Sequence, residues 1–202
     1  MAEVVARERL ALQVIASGTH LSKMHGETWR EIAADGFPIH AQVDMQLGTE
    51  GTSVAASAAL ALAGTAEALA RLQPDALILL GDRYELLSAA QAAVLSRVPI
   101  AHIHGGEATE GAIDDSIRHA VTKLSHWHFA AAEPYAERIR QMGEPPNRVW
   151  NVGALAMDNI SSLDRVPIRE LEEFLGVNLR APTLLMTYHP VTLARDDGLA
   201  AM

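Results

Sequence analysis

The chain has 202 residues, 49% of them hydrophobic, and a formal net charge of −9 with histidine neutral. That length holds one domain or one and part of a second, and that apolar fraction supplies a sizeable core. The acidic balance disfavours a general nucleic-acid or anionic-membrane surface, and with no cysteine disulfides, thiolate catalysis and cysteine-ligated metals are ruled out.

Short β-like runs alternate with longer helical ones, the pattern of βαβ units and a parallel sheet. Leu10 to Ala16 is the first predicted strand, and a helix follows across Ser22 to Ala34. Pro38 to Val43 reads as a short strand. Thr52 to Leu72 is a long alanine-rich helix, capped by Thr52 or Ser53 and broken by Pro74-Asp75. Ala76 to Leu80 is a continuous apolar run, as expected of a strand buried on both faces. Tyr84 to Arg97 is helical and Pro99 to Ile103 is another buried strand. Ile113, Ile117, Ala120, Val121 and Leu124 form an apolar stripe at helical spacing. Trp127 to Ala131 reads as a strand, Pro134 to Met142 as a helix and Val149 to Val152 as a short strand. Ser161 to Arg180 looks like a connection with one short amphipathic helix, and Thr183 to Thr187 starts a new strand. No segment is expected to reach the roughly 18 apolar residues that span a bilayer. Met1 to Arg9 lack the continuous apolar core of a secretory signal, so a cytoplasmic setting is the expectation.

In open parallel sheets, ligands bind beyond the carboxyl ends of the strands. Here those ends share a composition. They run into Ser17-Gly18-Thr19-His20, Gly81-Asp82-Arg83, His104-Gly105-Gly106-Glu107, Gly153 and His189-Pro190. Several such corners on one sheet edge build one pocket. Asp82 is a candidate general acid or base, or a helix cap. Arg83 pairs with Asp82 or offers its planar fork to a phosphate. His102 and His104 are two apart on a strand and share a face. One of them reads as a hydrogen-bonded core residue and His104, nearer the strand end, as the site candidate. Glu107 follows two glycines, which let backbone approach a ligand closely. Glu110 reads as a solvated loop residue. Asp114 and Asp115 suit the first turn of a helix, with Arg118 and His119 each in reach at i,i+4.

His20, His104 and Glu107 offer a zinc reading, yet no motif with metal-ligand spacing is complete. The dinucleotide fingerprint, the P-loop and the serine-hydrolase elbow are all missing.

Ser17 to Ser22, Gly81 to Glu85, His102 to His119, Asn151 to Ala154 and Tyr188 to Thr192 resemble, in order, the hydrolysing UDP-N-acetylglucosamine 2-epimerases and their relatives acting on a bacillosamine nucleotide. The resemblance implies a Rossmann-like parallel sheet, the N-terminal half of a glycosyltransferase-B-like two-domain fold with the site in the interdomain cleft. It implies an activity in sialic- or legionaminic-acid pathways. A base removes the C2 proton, UDP leaves C1, and water adds to the resulting 2-acetamidoglucal. No nicotinamide or metal cofactor is implied. The family forms dimers or larger assemblies.

Carried over by motif, Asp82 and Asp114 are acid/base candidates, while Arg83 and His189 lie near the diphosphate. His20, Arg118 and His119 are further substrate-binding candidates. A catalytic glutamate of some relatives aligns with His104, so the proton-transfer role falls to His104 or to Glu107. The family's first strand and its Gly-Thr-Arg-Ala-Asp-Tyr-type loop have no counterpart here, and the chain stops soon after His189. Residues 1–165 are therefore expected to form the N-terminal domain without its first strand, with two strand edges left unpaired. Residues 166–202 would be a linker and the start of a second domain. The chain alone is expected to be weakly active or inactive. A non-catalytic sugar-nucleotide binding or oligomerising remnant, and a metal-dependent hydrolase, are the other readings.

Overall fold

The computed structural model describes residues 10–47 and 53–187. Strand β1 (Val14–Ser17) leads through two short 3-10 turns and α1 (Trp29–Ala34) to β2 (Ile39–Val43). Then come α2 (Val54–Leu72), β3 (Leu77–Leu80), α3 (Tyr84–Leu95), β4 (Ile100–Ile103), α4 (Ile113–Leu124) and β5 (Trp127–Ala130). The series ends with α5 (Glu133–Gln141), β6 (Val149–Asn151), α6 (Leu155–Ser162) and α7 (Ile168–Leu175). All strand pairs are parallel.

The strands form two sheets, one of β1-β2 and one in the order β3-β4-β5-β6. Among the described residues, β1 and β3 each keep one edge unpaired. Helix α2 spans the break, packing against both β2 and α3. Gly64 makes this possible, because a Cβ there would stand 2.7 Å from Val43 Cγ1. Ile15 of β1 also packs on the core of the larger sheet.

That core follows from the strand alternation. Leu77 pairs with Ile100 and Leu79 with His102, so all four share one face. Against it lie Leu69 of α2, Ala90, Ala92 and Ala93 of α3, and Val121 of α4. Farther along, Ala130 and Val149 meet Ala136 and Ile139 of α5. With so few aromatic side chains, small residues fill the helix layer and bring it close to the strands.

Several expectations are corrected. The first strand begins at Val14 rather than Leu10. The predicted helix over residues 22–34 is a 3-10 turn, Lys23–His25, followed by α1. Strand β3 is not buried on both faces: Ile78 and Leu80 are 51% and 53% exposed, since the helices cover the face of Leu77 and Leu79. Residues 183–187 form no strand. Leu184 and Leu185 stand exposed, and an extended segment without a ladder partner leaves its backbone groups to water. Helix α6 was not among the predicted elements. Helix α2, at 19 residues and a mean hydropathy of 1.2, is long and apolar enough to cross a membrane by length and composition. Its buried stripe of Ser57, Ala61, Thr65, Ala68 and Leu69 instead faces the protein.

Thr52 lies outside the described residues. Ser53 caps α2, its Oγ accepting the Ala56 N–H at 3.1 Å. Ser53→Ala is expected to cost about 1 kcal/mol, read as a lower urea midpoint, while Ser53→Asp retains the wild-type midpoint.

Candidate active site

The carboxyl ends of β3 and β4 emerge side by side. Leu80 lies opposite Ile103, and the Gly81 N–H donates to the Ile103 carbonyl at 3.0 Å. Asp82 on the first strand end and His104 on the second therefore belong to one edge.

The Asp82 carboxylate accepts a hydrogen bond from the Nη2 of Arg118, on α4. The Nη1 of Arg118 donates to Thr109 Oγ1 at 3.1 Å, and the Thr109 N–H donates to Asp115 Oδ1 at 2.9 Å. One guanidinium thus ties together the end of β3, the 105–112 loop and α4. It is buried at 7% exposure, and its Nε–H has no acceptor among the described residues. Two expectations change here. Asp82 does not cap α3, whose N-cap is Arg83, and Arg118 bonds to Asp82 rather than to Asp114. The acceptor across the sheet edge offers a charge-assisted bond in place of the solvent-side i,i+4 pair.

His102 turns into the core, as expected of one of the two histidines. Its Nε2 lies 2.8 Å from the Gly81 carbonyl and its Nδ1 lies 3.1 Å from Thr122 Oγ1. Burial pushes its pKa down to about 4, against a partial opposing effect of the Gly81 hydrogen bond. The ring is then neutral near pH 7. Nε2–H donates to Gly81, which leaves Nδ1 an acceptor facing the Thr122 hydroxyl, whose one proton also has the Arg118 carbonyl at 3.0 Å.

His104 lies one residue past β4, so the face it was predicted to share with His102 ends before it. Its backbone has φ of +63°, a left-handed conformation costing a non-glycine residue about 1 kcal/mol. Its N–H still donates to the Phe129 carbonyl at 2.9 Å. The imidazole Nδ1 is 2.9 Å from Glu107 Oε1, and Nε2 is 3.5 Å from the Leu155 N–H. The loop between them is clamped. Gly106 has φ of +80°, and a Cβ there would stand 2.3 Å from the Tyr135 carbonyl. The Gly106 carbonyl in turn accepts from Arg138 of α5.

The Nε of Arg83 donates to Glu85 Oε1 at 2.6 Å. That bond raises the guanidinium pKa against an opposing effect of burial, and Asp114 lies close enough to add to it. His20 sits in the turn after β1, bonded to Thr28 Oγ1 at 2.7 Å. His119 Nε2 lies 3.8 Å from Asp115 Oδ2. Glu110 is exposed. His189 lies outside the described residues. Among those residues no group of three histidine or carboxylate side chains is placed to hold a metal ion, so His20, His104 and Glu107 are not gathered.

Three participants escaped the sequence reading. Glu85 was signalled by its place two residues after Arg83, and Thr122 by its helical spacing from Arg118. Thr109 carries no local signal.

Fold and edge together define a Rossmann-like α/β protein with an ionisable cluster at the carboxyl ends of its strands. A family model described as UDP-N-acetylglucosamine 2-epimerase matches residues 2–201, and the chain belongs to that family. It is 41% identical over 192 residues to a GDP/UDP-N,N'-diacetylbacillosamine 2-epimerase (hydrolyzing) of Campylobacter jejuni, covering 95% of this chain and 50% of that protein. It is 36% identical over 202 residues to a UDP-N,N'-diacetylbacillosamine 2-epimerase (hydrolyzing) of Legionella pneumophila, covering 98% and 53%. Among solved structures, the UDP-GlcNAc 2-epimerase of Neisseria meningitidis, bound to UDP-GlcNAc, is similar with a TM-score of 0.72 and 19% identity. The match covers 88% of this chain and 49% of that one. The chain thus spans about half the length of the relatives it matches, and its fold corresponds to about half of their glycosyltransferase-B-like architecture.

His102 ionises near pH 4 in the folded protein, against an ordinary value of 6.5. Between those values the unfolded chain binds a proton that the folded chain does not, so stability falls as pH drops from 6.5 towards 4. The loss attributable to His102 is at most about 3 kcal/mol. His128, whose pKa burial also lowers, adds a loss of the same sign. Urea unfolding across this range is expected to show the decline, and His102→Gln to leave the smaller share due to His128.

Proposed function

We propose that this chain serves the hydrolysing 2-epimerisation of a UDP-2-acetamido sugar. The observation that carries the reading is the Asp82–Arg118 pair beside the His104–Glu107 pair, on a chain that matches the epimerase family model over residues 2–201. The reaction needs groups that move protons near C1 and C2 and cations that steady a departing diphosphate. Asp82 and Asp114 are the proposed acid and base groups, with His104 and Glu107 on the same edge. Arg83 and His189 are the proposed diphosphate ligands, and His20, Arg118 and His119 are the further proposed substrate-binding residues.

In the proposed sequence a base removes the C2 proton, and its electron pair forms the C1–C2 double bond as UDP leaves. Water then adds to give the free 2-epimer. The names of the Campylobacter and Legionella relatives favour a diacetamido-bacillosamine nucleotide, with UDP-N-acetylglucosamine as the second candidate. The reading includes a role in making nonulosonate sugars, a cytoplasmic setting and a homo-oligomeric state.

The test is incubation with each nucleotide sugar, measuring free UDP and the released sugar. Weak product release at most is expected from the wild-type chain, with a loss of about 100-fold or more in Asp82→Asn. Calorimetric binding of UDP without release of product would overturn the catalytic reading in favour of a sugar-nucleotide binding protein.

A further inference from the structure

We propose that His104 exchanges its proton at Nε2, and that Glu107 is the positioning residue that fixes the ring in that form. The chemistry rests on the epimerase reading, whereas the tautomer does not.

A neutral imidazole carries one N–H, and the two nitrogens of His104 have different neighbours. Nδ1 faces a carboxylate oxygen of Glu107 at 2.9 Å, an atom that accepts hydrogen bonds. Nε2 faces the Leu155 N–H at 3.5 Å, a group that donates them. An acceptor on one side and a donor on the other select the same tautomer, Nδ1–H with a lone pair on Nε2. The Leu155 contact is long, so a substrate or water proton competes with it readily.

The backbone serves the same end. His104 adopts φ of +63°, and its strand bond to Phe129 is kept. The side chain is thereby turned away from the core face that His102 occupies. Glu107 reaches back across a loop clamped on α5 through Gly106. The two side chains are 23% and 27% exposed, so the pair is half-buried and still open to a ligand. Uptake of a proton at Nε2 gives an imidazolium whose Nδ1–H faces the Glu107 carboxylate. Release of that proton restores the neutral ring.

The test is a long-range proton–nitrogen NMR spectrum of the histidine-labelled full chain above pH 7.5. His104 is assigned by the loss of its signals in His104→Gln. The wild type is expected to show Nδ1–H at His104, and Glu107→Ala to shift the ring to the Nε2–H form. Unchanged His102 signals show that the fold is kept, and Glu107→Asp is expected to restore part of the wild-type spectrum. An Nε2–H form in the wild type, or identical spectra in wild type and Glu107→Ala, overturns the proposal. With a nucleotide-sugar substrate, Glu107→Ala is expected to lower kcat at least about tenfold while KM changes less than about twofold. Unaltered kcat overturns the positioning role. Absence of both UDP binding and turnover in the wild type overturns the epimerase reading and leaves the tautomer result standing.

Discussion

The geometry of the site depends on a buried guanidinium. Taking Arg118 out of water costs several kcal/mol, and the cost is offset only when the charge is paired and hydrogen-bonded. Asp82 and Thr109 supply those partners. The pair joins residues 36 apart in sequence, so it forms only when β3 and α4 are both in place. The neighbours of Asp82 are held independently. His102 takes the Gly81 carbonyl, and Glu85 takes the Arg83 side chain. Three consecutive residues at one strand end are thus fixed by three different elements: β4, α4 and the first turn of α3. Precision of this kind is what the proposed acid–base chemistry requires.

Much of the fold was legible because its signals are local. The apolar runs before Gly81 and His104, the stripe from Ile113 to Leu124 and the serine before α2 each carry their period or cap in a short window. The faults lie where a distant partner decides. Ile78 and Leu80 read as buried, but burial depends on what covers the second face of β3. Residues 183–187 have strand composition, yet a strand needs a neighbour to bond with.

The site was legible by composition and much less by pairing. A cluster of histidines, carboxylates and arginines at strand ends pointed to the edge where the structure holds the Asp82–Arg118 and His104–Glu107 pairs. It did not show that Arg118 would choose Asp82, since a partner across the sheet has no sequence period. Nor did spacing distinguish His104 from Glu107 as alternatives. The fold sets His104 Nδ1 2.9 Å from the Glu107 carboxylate, and the proposed division of labour between them answers the choice that the sequence posed. His104, an imidazole on a left-handed backbone, breaks a local rule, and such breaks concentrate at functional sites.

The gap between β1 and β3 has a mechanical consequence. In an unbroken sheet, backbone hydrogen bonds resist shear along the whole width. Among the described residues, the load between the two sheets passes through side chains instead, chiefly where α2 bears on β2 and α3. Side-chain contacts yield more gradually than a hydrogen-bonded ladder. Among the described residues, the β1-β2 unit, with His20 in the turn after β1, is therefore held to the four-stranded sheet by the packing of α2 and Ile15.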